Sequence, residues 1–338
     1  MKRSTARLLG ATVLAPVLAL SACAGGDQPE ESGGETPADD GDAAASETYE
    51  VGITQIVSHP SLDAARDGFK AALDEADLEV NYDEQNAQGD PATATSIANT
   101  FASADMDLVL AIATPTAQAS ANAITDTPVL FTAVTDPVEA DLVDSWESPG
   151  GNLTGTSDMN PVEQQLGLLE DLAPDAETVG IVYSSGEVNS EIQVEMAQEA
   201  ADGLGLEIET ATVSSSGEVQ QAAQSLDVDA FYVPTDNTVV SALESVLQVA
   251  ESSQVPVIVA EGDSVERGGV ATYGIDYEQL GRQTGEMAVQ ILEQGTAPAD
   301  IPVETQSELQ LVVNPAAAER MGVEIPSELL DQADTVVE

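Results

Sequence analysis

From Tyr49 to the end of the chain, short β-branched apolar runs alternate with amphipathic helical stretches, and few folds accept that rhythm. The first unit is VGITQIVSHPSLDAARDGF, Val51 to Phe69. Val51, Ile53, Ile56 and Val57 make a buried strand. Ser58, His59 and Pro60 stop it, with Pro60 suited to a first helical turn and Ser58 or His59 placed to cap. Leu62, Ala65, Phe69, Ala72 and Leu73 then recur at three- and four-residue steps, the stripe of a helix with one buried face.

The same reading predicts strands at 49–57, 78–84, 107–113, 128–134, 178–184, 206–213, 228–233, 255–260, 269–275 and 307–313. Helices are expected at 60–76, 91–103, 116–124, 161–172, 188–203, 217–225, 238–252 and 277–294. Such alternation means βαβ units with right-handed crossovers. The fold class is therefore α/β, with two doubly wound parallel-sheet lobes joined by several hinge crossings. Crossings are expected at 148–160, read as a turn-rich segment, and near 273–277 and 302–307. Lobe 1 takes 49–157 plus about 277–304, and lobe 2 takes 158–276 plus about 305–338.

Ligands of open α/β sheets bind beyond the carboxyl ends of the strands. The loops there carry His59, the Gln85–Gly89 run, Thr114 and Thr116, Asp136, Ser184 and Ser185, Asn189 and Ser190, Asp236 and Asn237, and Glu261. Small hydroxyl, amide and carboxylate groups orient a small polar molecule through a few directed bonds. Each loop also has a plainer reading, since the same residue types cap helices. Taken jointly, they favour a ligand cleft.

The chain begins with a targeting segment: Lys2, Arg3 and Arg7, then an apolar run from Leu8 to Leu20 too short to span a bilayer. Leu20-Ser21-Ala22-Cys23 resembles a bacterial lipobox, which implies cleavage before Cys23 and acylation of this sole cysteine; an ordinary signal peptide is the alternative. Residues 23–48 are rich in Gly, Asp, Glu, Ala, Ser and Pro and read as a disordered acidic tether. The expected location is the outer face of the cell membrane, with lipid as the only membrane contact.

Charge excludes some partners. There are 8 Lys+Arg against 61 Asp+Glu, a net −53, and loss of residues 1–22 removes three basic residues and takes it to −56. Such a field repels nucleic acid and other polyanions. The acidic residues are spread without metal-loop spacing, so a solvated surface suited to saline conditions is preferred to a metal site. No cofactor is expected. GxSxG, GxxxxGK and HExxH are absent, and one histidine with one lipidated cysteine gives no Cys–His dyad. Only a carboxylate-pair hydrolase survives as an enzyme alternative.

Several stretches together resemble the ABC-transporter substrate-binding proteins of the tryptophan/tyrosine-type group. They are the opening unit, NAQGD (86–90), AIATPTAQA (111–119), FTAVTDP (131–137), GGNLTGTSD (150–158), YSSGEVNS (183–190), VPTDN (233–237) and YGIDYEQLGRQTG (273–285). The resemblance spans about residues 50–335. It implies a type I periplasmic-binding fold that closes on a small ligand and delivers it to a membrane permease with a cytoplasmic ATPase, acting as a monomer. A sensory lipoprotein presenting its ligand to a receptor is the alternative role. Carried over by position, it puts His59, Thr114 and Thr116 on the first wall with Asp136 nearby, and Asp158, Asn189, Ser190, Asp236 and Asn237 on the second. An amino-acid ligand would need a carboxylate such as Asp236, Asp158 or Glu261 for its ammonium. No arginine is placed for a bidentate clamp, so His59, Thr114, Ser190 and helix N-termini are left for its carboxylate. Phe131, Tyr183, Tyr232 and Tyr273 are expected in the core rather than as stacking platforms. His59 either contacts ligand, with a switch near neutral pH, or caps a helix. Trp146 is expected to pack beneath a crossing.

Overall fold

The computed structural model describes residues 48–337, so Cys23 and the acidic tether lie outside the described residues. The first half of the chain gives β1 (Thr48–Gln55), α1 (Pro60–Glu75), β2 (Glu79–Asn86), α2 (Pro91–Ser103), β3 (Leu108–Ile112), α3 (Thr114–Ala123), β4 (Val129–Val134) and β5 (Leu153–Ser157). It continues with α4 (Val162–Leu172), β6 (Thr178–Ser184), α5 (Val188–Leu204), β7 (Glu207–Val213), α6 (Val219–Gln224), β8 (Ala230–Val233), α7 (Asn237–Val240) and α8 (Leu243–Ser253). The last elements are β9 (Val257–Val259), α9 (Gly262–Glu266), β10 (Ala271–Gly274), α10 (Tyr277–Gln294), β11 (Glu304–Thr305), β12 (Gln310–Val313), α11 (Pro315–Arg320), α12 (Ser327–Gln332) and β13 (Thr335–Val336).

These strands form two sheets, ordered β11-β5-β4-β3-β1-β2 and β13-β12-β10-β9-β8-β6-β7. All pairings in the first are parallel. In the second, β12 runs antiparallel to β10, a departure from the all-parallel expectation. Each sheet has its own apolar core. Phe69, Phe101 and Phe131 anchor the first, and Phe231 and Tyr232 the second. The chain passes between lobes after β5, between β10 and α10, and between β11 and β12. Helix α10 packs its Tyr277, Leu280, Met287 and Ile291 into the first core although it follows β10 of the second.

Two expectations need correction, and some short elements were not expected. The segment at 148–160 is not all turn: β5, buried along its length, occupies 153–157. Its residues are Leu-Thr-Gly-Thr-Ser, small and hydroxylated, so no apolar run advertised a strand. The hydroxyls are instead satisfied inside, with Thr156 bonded to Thr132 and Thr284 at 3.1 and 2.7 Å. The helix expected over 238–252 breaks at Ser241 and Ala242 into α7 and α8. The elements β11, β13, α9, α11 and α12 are too short to show a period. Trp146 packs partly buried against the first core, and its carbonyl accepts the Val303 amide at 2.8 Å where the chain returns toward β11.

Helix α1 is set by how closely it lies on α10. A Cβ on Gly281 would overlap the Ala65 carbonyl oxygen, and one on Gly68 would overlap that of Glu278. The glycines let the backbones touch, which fixes where the N-terminus of α1, with His59 before it, stands relative to Tyr277 at the start of α10.

Candidate functional site

Residues just beyond the carboxyl ends of β1, β4, β5, β6, β8 and β9 converge between the lobes. A small inner cavity is lined by His59, Leu62, Ala133 and Thr135 on one side and by Asn189, Thr235, Asn237, Val240 and Glu261 on the other. Asp158 and Tyr277 close it at the crossings. Its free volume is about 10 Å³, room for a group the size of one water. Asn237 also borders a larger outer groove of about 630 Å³. The groove lies between Ile56, Val57, Pro91, Pro115 and Ala119 of lobe 1 and the 184–187 and 213–216 loops of lobe 2.

The wall from lobe 2 is anionic. Glu187 precedes α5 but does not cap it. Its carboxylate accepts from the Asn237 and Thr238 amides (3.1 and 3.0 Å) and from Asn237 Nδ2 and Thr238 Oγ1 (2.6 and 2.8 Å). It therefore serves the N-terminus of α7 from outside that helix. Asp236 caps α7 through the Val239 amide and accepts the Ser184 amide at 2.6 Å. Burial, with Glu187 close by, pushes Asp236 up to about 7. Glu261 accepts from Ser264 Oγ at 2.8 Å, and burial pushes it up to about 7 against that bond, with Asp263 adding to the rise. Asn189 gives Nδ2 to the Thr235 carbonyl at 2.9 Å, which orients the amide and leaves Oδ1 buried without a partner.

At the crossing, Asp158 accepts from Tyr277 OH at 2.8 Å and Thr135 Oγ1 at 3.3 Å. Burial still carries it up to about 6, helped by the charge of Glu261. Burial and then Asp158 raise the Tyr277 phenol well above its ordinary value, so it remains a donor. The wall from lobe 1 is uncharged. His59 is lowered to about 4 by burial and by Arg267, against Asp63, Asp263 and Glu187, so it is a neutral imidazole rather than a switch near neutral pH. It stands at the N-cap of α1 with no side-chain capping bond, and its Nδ1 is buried without a partner. The capping role therefore does not hold. Neither α1 nor α3 is capped by a side chain.

The backbone is strained on this wall. Ala113, before α3, has φ 80° and ψ 154°, and Ala133, at an irregularity in the β4–β5 register, has φ 56°. Positive φ costs a non-glycine residue roughly 1 kcal/mol or more, and such residues cluster where function demands a fixed geometry.

Three carboxyls held above their unfolded values stabilise the ligand-free protein fully below about pH 4. That stabilisation is lost as pH rises through about 6 to 7. His59 has the opposite sign: its neutral burial costs stability as pH falls from 6.5 toward about 4. Three groups outweigh one. The ligand-free protein is expected to melt several degrees lower at pH 8 than at pH 5.5, and a midpoint that rises over that interval would contradict this balance.

Of the residues expected from sequence, His59, Asp158, Asn189, Asn237 and Glu261 line the inner cavity. Asp236 and Ser190 are buried and line neither the cavity nor the groove. Thr114 is buried at the first turn of α3 with its hydroxyl unpartnered. The hydroxyl of Thr116 is taken by the Ile112 and Ala113 carbonyls (2.6 and 2.9 Å), and Asp136 serves its own turn through the Val138 and Glu139 amides. Phe131 and Tyr232 are in the cores, and Tyr183 and Tyr273 pack against the second. Sequence reasoning passed over Glu187, Thr135, Thr235 and Tyr277. All four stand inside or beside stretches it quoted, but only partner geometry separates them from neighbours of the same type. Arg267 is held by Glu244 through two bonds of 3.0 Å, so no arginine clamps this site.

Comparison with known proteins agrees with this architecture. The model of the family described as ABC transporter substrate binding protein matches residues 50–337. A protein of Clostridioides difficile (strain R20291) named as a tyrosine-binding protein is 45% identical over 270 residues, 78% of each chain. An ABC domain from Streptococcus pneumonia, solved in complex with L-Trp, is 40% identical, with TM-score 0.83 over 86% of this chain and 100% of that one. The ligand-free, open structure of a substrate-binding protein with adhesive properties from Clostridium difficile is 44% identical, with TM-score 0.65 over 86% of this chain and 99% of that one. At similar coverage and identity, the chain as a whole superposes better on the L-Trp complex than on the open, ligand-free structure. With its two-lobed type I periplasmic-binding fold and a match along nearly all of its described length, the chain belongs to the family of ABC transporter substrate-binding proteins.

Proposed function

We propose that this protein is the extracytoplasmic solute-binding component of an ABC importer and that it captures an aromatic amino acid between its lobes. The observation that carries this reading is that the inner cavity and the outer groove are neighbours, with Asn237 lining both. The cavity suits an amino group, and the groove has volume and apolar lining (Ile56, Val57, Pro91, Pro115, Ala119) for a ring. The relatives named above supply the ligand class. The ligand's carboxylate is given to the uncapped N-termini of α1 and α3, with Thr114 as a hydroxyl donor. Capture closes the lobes about the three crossings, and the closed form docks on a permease with a cytoplasmic ATPase. The protein acts as a monomer, tethered through lipid on Cys23. Among the described residues no helix is long and apolar enough to cross a membrane.

The test is a thermal-shift series with L-tyrosine, L-tryptophan, L-leucine and glucose. A ligand present at a hundred times Kd stabilises by about 2.7 kcal/mol. Aromatic amino acids are expected to raise the midpoint by several degrees and glucose to leave it unchanged. No shift with either aromatic amino acid would remove the reading.

A further inference from the structure

Asp158 and Glu261 line the inner cavity, Glu187 lines the outer groove and Asp236 is buried beside Glu187, each at most 7% exposed, and no lysine or arginine lines either space. The five basic side chains among the described residues are all engaged in ion pairs: Arg66, Lys70, Arg267, Arg282 and Arg320 with Asp63, Glu84, Glu244, Glu75 and Glu251. Buried carboxylates without a countercharge are costly unless a cation or a proton supplies one. A second feature points the same way. Asn189, 3% exposed, lines the cavity with an oxygen that has no donor, while its nitrogen is fixed on the Thr235 carbonyl. The orphan is therefore an acceptor. The cavity also has room for one group of water's size, which an ammonium is.

Resting on the amino-acid reading above, we infer that the inner cavity is an ammonium site and that the amine alone secures a ligand. Decarboxylated arylalkyl amines then belong to the binding repertoire, whereas deaminated arylalkyl acids do not. The carboxylate of an amino acid is met only by helix N-termini and a hydroxyl, and it is held there against the field of the buried carboxylates. Its removal therefore costs little. Loss of the ammonium leaves Asn189 Oδ1 and the acids uncompensated. The ammonium also takes the place of protons. Asp158 faces Glu261 and the Tyr277 phenol, Asp236 faces Glu187, and Glu261 faces Asp263 with Arg267 beyond, so closure without ligand holds protons that an ammonium displaces.

Calorimetry on the full chain at pH 7 tests this with L-tyrosine, tyramine and 3-(4-hydroxyphenyl)propionate, and with L-tryptophan, tryptamine and indole-3-propionate. The amines are expected to bind within about tenfold of the parent amino acids, about 1.4 kcal/mol, and the acids at least a hundredfold more weakly. Binding enthalpies in phosphate and Tris should differ in the sense of proton release. Glu261→Gln, with its melting midpoint recorded, should weaken amine and amino acid alike about tenfold. Binding of an amino acid without its amine would overturn the ammonium inference and leave the amino-acid reading standing. Binding of an acid as tight as that of its amine would overturn the inference as well. Failure of amino acids and amines together would overturn both readings. Binding of the amines alone would support the inference and remove the amino-acid reading.

Discussion

Gly281→Ala is expected to destabilise the protein by at least about 3 kcal/mol, although alanine is the better helix former by about 1 kcal/mol. The sign is the point. If α10 simply passed near α1, relief of glycine's backbone entropy would make the variant more stable. Here the new methyl would meet the Ala65 carbonyl, which is backbone and cannot rotate away, and Gly285 one turn on is also in tight contact, with its Cβ position 2.6 Å from the Ala72 methyl. Overpacking against side chains costs typically 1–3 kcal/mol, and against a helix backbone the two helices must separate along their contact. Gly203 is the control: it lies in α5, exposed, with open space at its Cβ position, so Gly203→Ala should raise stability by up to about 1 kcal/mol. Denaturant melts of the two variants beside the parent read both signs at once. A Gly281→Ala midpoint at or above the parent's would show that the α1–α10 contact is looser than described. Because the contact sets where His59 stands against Tyr277, the surviving fraction should also bind ligand more weakly.

The second large effect is Glu187→Ala. This carboxylate receives two backbone amides and two side-chain donors of α7, and a hydrogen bond to a charged group contributes about 1.5–3 kcal/mol. Its removal also relieves Asp236 of a close like charge. Relief of one repulsion is smaller than loss of the four hydrogen bonds this carboxylate accepts, even allowing that water from the adjoining groove reaches some of the donors. A net loss of about 3 kcal/mol is expected. Ligand affinity should fall at least about a hundredfold, because Asn237 borders both the cavity and the groove and Asn189 loses a neighbour. Glu187→Gln, which keeps one acceptor oxygen, should recover part of both. Equal loss in the Ala and Gln variants would mean that charge, not acceptor geometry, holds α7. An Ala variant of parental affinity would take Glu187 out of the site.

How far the sequence could be read depended on whether a segment's job was local. Strands β3 and β4 are nearly continuous apolar runs, β1 carries Val51 and Ile53, and helices α1, α2 and α10 carry stripes, the first two with Pro60 and Pro91 at the start, so period and punctuation reveal them. Strand β5 is Leu-Thr-Gly-Thr-Ser and shows no apolar period. Its partners are supplied from β4, α10 and the 301 region, more than a hundred residues away in two of those cases. In the site the division is similar. His59, Asn189, Asn237 and Glu261 stand where a strand ends and a helix begins, a position visible in sequence. That Thr116 spends its hydroxyl on carbonyls while Thr135 faces the cavity is not visible, since both are threonines a few residues past a strand's apolar run.

By itself, then, the sequence determined that β and α units alternate, that the chain carries far more acid than base, that polar loops gather at strand ends and that no arginine is free for a carboxylate. These are local facts of residue type and spacing. Only the tertiary structure decided which carboxylates are buried face to face and which groups are left without partners. It also set Glu187, not a residue of α7, over the amides of that helix. The physical reason is that desolvation and pairing are properties of what surrounds a group after folding. Two aspartates that each follow a hydroxyl residue at a strand end, Asp136 and Asp158, differ because one is half-buried and keeps its own turn while the other is enclosed and bonded to Tyr277.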